Sequence, residues 1–355
     1  MSRSQPYLKT SPFARLLKMA LLCLATLCLA SLQAAAQNTP LISGGMGFLT
    51  STNGGNTTYV PTISPVLVAP LGDRFQVESR ATLLESFFPK GPGQSGYDTF
   101  HFVGLTYLQM DYFATSHLTI VGGTFLTPFG TYNERLAPIW ISNFQDAPLI
   151  TAIGTMGSGS GTGGMIRGSA VSTANFSIDY AAYFSAKSTN EQFQSSRSTG
   201  GKVEVYFPKL RLEVGTSYGR LLEGIQTNSY GLHVWWMPAS VPLKVRSEYA
   251  HGAHAEGYWI ETDYRLSRFG GEESPIGRLE PVFRWQQVFR NSPDPTDGLP
   301  PADTKQTDFG LDYHLPHEVR INVSYGRQFS PVGNRNVWET GIVYRFLFPA
   351  WKGKS

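Results

Sequence analysis

The sequence predicts an all-β fold: a transmembrane antiparallel β-barrel of about 16 strands, with a long third loop folded inward. Three observations carry this expectation. The segment 337–348 alternates, with Trp338, Ile342, Tyr344, Phe346 and Phe348 on one parity and Glu339, Gly341 and Arg345 on the other. An alternating strand with aromatics on one face and charge on the other, close to the C-terminus, is how such a barrel closes. The chain opens with an export signal. Beyond that signal no stretch of 18 or more apolar residues occurs, so no spanning helix is expected. The 13% aromatic content and the many glycines suit short alternating strands instead.

The first 36 residues are read as a signal peptide that is cleaved after Ala36, leaving 37–355 as the barrel. Arg3, Lys9, Arg15 and Lys18 form a basic start without acids, 19–32 is apolar, and Ala34-Ala35-Ala36 is a small-residue cleavage site. The apolar run, about 14 residues, is short of the roughly 20 that a spanning helix needs. Cys23 and Cys28 lie inside this leader, each after a leucine rather than a small residue, which argues against lipid attachment. The mature chain then has no cysteine, hence no disulfide framework and no thiolate chemistry. Taking the leader's four basic residues from the total of 29 leaves 25 against 26 acids. The basic isoelectric point belongs to the leader and gives no reason to expect a nucleic-acid partner.

The strands follow in order. Segments 41–50 and 59–69 are weakly patterned, and 98–114 is ambiguous in parity. With 74–88 and 118–128 they make the first five. Then come 162–173, 174–186, 197–208, 210–221, 228–239, 241–254, 257–267, 278–290, 304–316, 318–329 and 336–348. Alternation is clearest in the second half. Val203, Val205 and Phe207 oppose Lys202, Glu204 and Tyr206, and Val319, Ile321, Val323 and Tyr325 oppose Arg320, Asn322 and Ser324. An even count suits a bacterial barrel. Connections alternate too: short turns such as Pro70-Leu71-Gly72-Asp73 and Phe207-Pro208-Lys209 on one side, longer loops at 89–97, 187–196, 291–303 and 129–161 on the other. The connection 268–277 is the long exception on the short side. A soluble β-sandwich also alternates. It has no use for a densely charged second face, or for Trp and Tyr near strand ends such as Trp236, Tyr249, Trp285 and Trp338, which suit bilayer interfaces. The expected location is the bacterial outer membrane, with its lipid as the partner of the apolar face.

The longest connection, 129–161, contains Pro138-Ile139-Trp140-Ile141, Phe144 and Pro148-Leu149-Ile150. It is too apolar to hang in water, and long structureless loops are usually functional. In a 16-stranded barrel the lumen is wide enough to take it, so it is expected to turn inward as a constriction loop. Its Gly/Ser/Thr-rich end, 154–164, lacks the Lys-Ser/Thr ending of a phosphate-cradling loop and reads as a flexible return to the wall.

The stretch 118–130, which ends Gly-Thr-Phe-Leu-Thr-Pro-Phe-Gly after Tyr107-Leu-Gln-Met-Asp-Tyr112, resembles the G-x-F-x-x-P-F-G signature of bacterial outer-membrane porins, especially the phosphate-selective porin O/P-like group. The resemblance covers about 25 residues. It implies a passive diffusion channel for small hydrophilic solutes or inorganic ions, commonly a homotrimer, with the constricting loop after the fifth strand. Two features depart from it: no lysine cluster stands near the loop, and the chain runs seven residues past Phe348.

The polar parity, assigned to the lumen, carries arginines, lysines and acids in nearly equal number, a lining that suits a water-filled pore with modest selectivity. Pairing across neighbouring strands would occupy most of them. The loop adds Glu134, Arg135 and Asp146. If it narrows the pore, Glu134 and Asp146 face wall arginines, with Arg74 and Arg80 on the third strand and Arg320 and Arg345 near closure as the opposing side. Two alternatives stay open. An outer-membrane hydrolase would need a nucleophile beside a base, and no Ser-His pairing stands out. A structural or adhesion barrel would have a plugged lumen. His251 and His254 lack a third ligand, so neither metal, cofactor nor catalytic residue is expected.

Overall fold

In a bilayer every backbone N–H and C=O must be satisfied within the protein, which strands achieve only by closing on themselves. The computed structural model describes residues 39–91, 94–154 and 159–350. The expected leader and the last five residues of the tail lie outside them. Within them sixteen antiparallel strands close into one barrel in which each strand pairs its neighbours in sequence. They are β1 (Leu41–Asn53), β2 (Asn56–Leu71), β3 (Phe75–Pro89), β4 (Tyr97–Thr115), β5 (Leu118–Leu126), β6 (Ser160–Ser172), β7 (Ser177–Ala186) and β8 (Ser198–Phe207). The second half holds β9 (Leu212–Leu221), β10 (Asn228–Trp236), β11 (Leu243–His251), β12 (Ala255–Tyr264), β13 (Leu279–Arg290), β14 (Thr304–Leu315), β15 (Val319–Phe329) and β16 (Arg335–Pro349). β1 closes on β16 over its whole length, from Leu41 opposite Pro349 to Asn53 opposite Val337.

The alternation sets the two faces. On β16, Trp338, Ile342 and Tyr344 are exposed while Glu339, Gly341 and Val343 are buried inward. Phe346 shares the outer parity yet is buried, because the rings of Tyr344 and Phe348 flank it at 6.4 and 5.8 Å. The same alternation runs through β14, where Phe309 and Leu311 are exposed and Asp308 and Asp312 are buried. The Trp236 indole, at the end of β10, donates to the Leu210 carbonyl at 3.1 Å. Tyr344→Arg is therefore expected to cost roughly 1–4 kcal/mol depending on depth, measured by urea titration of the protein refolded into liposomes. Glu339→Gln on the inner face should cost less, and equal tolerance at the two positions would contradict this register.

The first hairpin is tighter than the pattern predicts. The sequence leaves an eight-residue link between 41–50 and 59–69, but the strands run on to a two-residue turn at Gly54-Gly55, with φ of 57° and 83°. Two consecutive positive φ values are what a primed hairpin turn requires. The added rungs are polar, as in the Thr52–Thr57 hydroxyl pair at 2.9 Å, which is why they read as loop. The ambiguous parity of β4 also has a cause: its pairing shifts register at Arg80/Ala81 against β3 and at Phe113/Thr115 against β5. A bulge moves later side chains to the opposite face. The long exception on the short-turn side spans 265–278 and contains a 3₁₀ turn, Leu266–Phe269.

Candidate pore constriction

The segment 127–159 leaves β5 at the sequence Thr127-Pro128-Phe129-Gly130. Gly130 has φ of 62°, and a Cβ there would lie 1.9 Å from Glu248 Oε1, so only glycine fits. Its N–H donates to Ser217 Oγ at 3.0 Å, and the Thr131 N–H donates to Glu248 Oε2 at 3.1 Å. The chain is thereby pinned to the inward faces of β9 and β11. A π-helical turn, Tyr132–Leu136, follows. Phe129, Leu136 and Ile150 then pack with Ala250, Ala255, Trp259 and Val288, an apolar patch on the inside of the wall. Burying apolar area at roughly 25 cal/mol per Å² on both surfaces gives the segment a core of its own.

Charge ties the same segment to the wall. Lys202 Nζ donates to Glu134 Oε2 at 2.7 Å. Arg135 bonds Glu213 Oε1 at 2.5 Å and lies 4.1 Å over the Trp235 ring. Farther along, the Trp140 ring rests on Gly45 of β1, where an added Cβ would meet its Cε3 at 2.6 Å. Arg320 of β15 donates to the carbonyls of Ile139 and Ser142 at 3.0 and 2.5 Å, and pairs with Asp312 at 3.2 Å. Asn143 donates to Glu261 and Asp263, each at 3.1 Å. Arg284 of β13, nearly inaccessible, bonds Asp308 Oδ2 at 3.1 Å and the Asp146 carbonyl at 3.0 Å, and covers the Phe144 ring at 4.5 Å. The Leu149 N–H ends the run on Gln286 Oε1 at 2.8 Å. Burial pushes the Tyr132 hydroxyl up to about 12, against the pull of Arg284.

These contacts locate each residue that the sequence nominates. Glu134, Arg135 and Arg320 hold the segment to the wall, and Asp146 is held through its carbonyl. Arg80 is buried on β3, 5.4 Å from the Tyr107 ring, and has no carboxylate partner among the described residues. It lines a cavity of about 220 Å³ between the β1–β4 wall and residues 137–140, with Thr62, Ser64, Thr82 and Thr106. Arg74 and Arg345 are not brought to the loop. Arg74 is exposed in the turn before β3, and Arg345 is exposed 4.0 Å from Glu318 of another short turn. Parity assigned Arg345 to the inner face, but parity says nothing of depth, and both arginines stand at the short-turn rim. Lys202, Glu213, Glu248 and Arg284 read from the sequence only as lumen charges, with no assigned partner in the loop. All four stand on the polar parity, but their partners lie 68 to 138 residues away in sequence.

No family model and no curated protein sequence matches the chain. Its fold, however, is shared with solved structures. The anion-selective porin from Comamonas acidovorans superposes with a TM-score of 0.57 at 11% identity, over 87% of this chain and 100% of that one. OmpF of Salmonella typhi gives 0.57 at 13% identity, over 87% and 97%. OmpT, an outer membrane protein of Vibrio cholerae, gives 0.56 at 10% identity, over 89% and 100%. The chain has the sixteen-stranded barrel fold of the outer-membrane porins.

Proposed function

We propose that the protein is an outer-membrane porin, a passive diffusion channel for small hydrophilic solutes or inorganic ions that the segment 127–159 narrows from within. The observation that carries this reading is the one-sided anchoring of the segment. Its charged and main-chain contacts go to β8, β9, β11–β13 and β15. Facing β2–β4, residues 137–140 and the wall enclose the cavity beside Arg80, and no hydrogen bond or ion pair crosses it among the described residues. The passage runs there. Glu134 is neutralised by Lys202 and Arg135 by Glu213, the exposed Asp146 is held only through its carbonyl, and Arg80 lines the cavity without a carboxylate partner among the described residues. That arrangement gives a modest preference for anions rather than a strong field across the pore. The resemblance to phosphate-selective porins rests on the motif at 118–130 alone. The inner lysines Lys202 and Lys244 are both paired with acids, which favours a broad channel over a phosphate-dedicated one.

The histidines favour a channel over a hydrolase. The rings of His117 and His254 bond backbone carbonyls and those of His251 and His314 bond carboxylates, and among the described residues no serine or threonine hydroxyl is bonded to any of the four rings. A homotrimer belongs to the same reading, and the exposed Phe100 and Phe102 on β4 offer apolar surface for it.

Planar-bilayer recording of the purified protein in a salt gradient tests the proposal. Stable open steps and a reversal potential of anion-preferring sign are expected. Arg80→Gln should bring that potential towards zero with little change in step size. Silence of both wild type and a loop-deleted variant would contradict the channel. An unchanged reversal potential in Arg80→Gln would put the passage elsewhere.

A further inference from the structure

Beneath the root of the loop, Glu204 of β8, Glu213 of β9 and His233 of β10 come together, with one potential ligand atom from each inside 4.8 Å of the others. Gly215 makes this possible. It stands between Glu204 and His233 in the cross-strand row. A Cβ there would fall 2.2 Å from His233 Cε1 and 2.9 Å from Glu204 Cγ. The imidazole lies in the space of a missing side chain. Its Nε2 stands 3.2 Å from Glu204 Oε1 and 3.6 Å from Glu213 Oε1, and the His233 side chain is 0% exposed. Neither ring nitrogen has a hydrogen-bond partner of good geometry. A buried imidazole without one is costly.

The spacing has a chemical reading. A tetrahedral ion bonded at about 2.0–2.2 Å puts neighbouring ligand atoms about 3.3–3.6 Å apart. The charge agrees with it. Glu204 and Glu213 are joined by Glu134 on the loop and by Glu248, opposite His233 on β11, against two fixed cations, Lys202 and Arg135. Both cations have other contacts to keep if the carboxylates turn to a metal. Lys202 holds Glu134 at 2.7 Å, and Arg135 lies on the Trp235 ring. We propose that Glu204, Glu213 and His233 bind a divalent transition-metal ion of the zinc type, with water completing the shell. One imidazole and two carboxylates suit such an ion. Binding would clamp β8, β9 and β10 together under Gly130 and Glu134, stiffening the loop's root.

The site is tested without reference to any current. The full-length barrel, refolded in detergent and stripped of metal, is titrated with Zn²⁺ in a calorimeter and separately with Co²⁺ while its visible absorption is recorded. One ion per chain is expected, with a Co²⁺ ligand-field band that Zn²⁺ displaces. His233→Gln and Glu213→Gln should each weaken Zn²⁺ at least about tenfold. A double substitution of the rim histidines, His251→Gln and His254→Gln, should leave binding unchanged. If His233→Gln fails to refold, Glu213→Gln decides. No saturation at one ion per chain, equal affinity in the refolded site variants, or loss in the rim double variant would each overturn the proposal.

Discussion

Deleting residues 139–152 and rejoining the ends with a short Gly-Ser link is expected to raise single-channel conductance about two- to threefold, since current through a pore follows its narrowest cross-section. The deletion removes Trp140 from β1, the carbonyls that Arg320 and Arg284 hold, and Asn143 from Glu261 and Asp263. It touches none of the sixteen strand pairings, which are independent of the loop. The barrel should therefore still refold, with its native electrophoretic mobility kept until heating. Anion preference should fall as well, because a wider passage brings more solutes through without meeting Arg80. A variant that refolds and conducts as the wild type does would mean that these residues do not border the passage.

Arg284→Met is expected to be the most damaging single substitution on the inner face. The guanidinium joins Asp308, the Asp146 carbonyl and the Phe144 ring in one place, with Gln286 sharing Asp308 at 2.9 Å. Removing one partner of a buried pair leaves an uncompensated charge, at a cost of about 3–5 kcal/mol. The loss should appear in urea titration, and in bilayers as flickering steps from a loop freed at its centre. Arg284→Met combined with Asp308→Asn should recover part of the stability, because the orphaned carboxylate is then gone. A single variant as stable and as quiet as the wild type would show that the guanidinium does not anchor the loop.

Much of the wall is legible in the sequence for a simple reason. Period-two alternation reports which face a side chain takes, and here one face meets lipid while the other is charged. Pairs such as Val203 with Lys202 and Phe309 with Asp308 therefore fall on their observed sides. Three kinds of information are not in that signal. Depth is one: Arg345 has the inner parity and sits at the rim beside Glu318. Local backbone is another, since the turn at Gly54-Gly55 and the bulge at Arg80/Ala81 alter register without altering composition. The third is partner choice. Trp259, Val288 and Ala250 break the polar face, and only the folded loop explains them, because Phe129 and Ile150 cover them. Lys202 likewise reads as one lumen charge among many until it meets Glu134.

Residues 127–159 reach from the β9 and β11 wall to β1, where Trp140 rests on Gly45. Cys23 and Cys28 both lie before residue 37, so in protein produced as residues 37–355 an introduced pair is free of competing thiols. Trp140 Cβ lies 3.1 Å from where a Cβ on Gly45 would stand, within small adjustment of the roughly 3.5–4.5 Å that a disulfide needs. Gly45→Cys with Trp140→Cys, oxidised in the folded barrel, should cross-link in high yield within one chain and leave a conducting pore. Thiols that stay free under oxidation and react instead with a bulky, membrane-impermeant reagent added from outside would contradict the account.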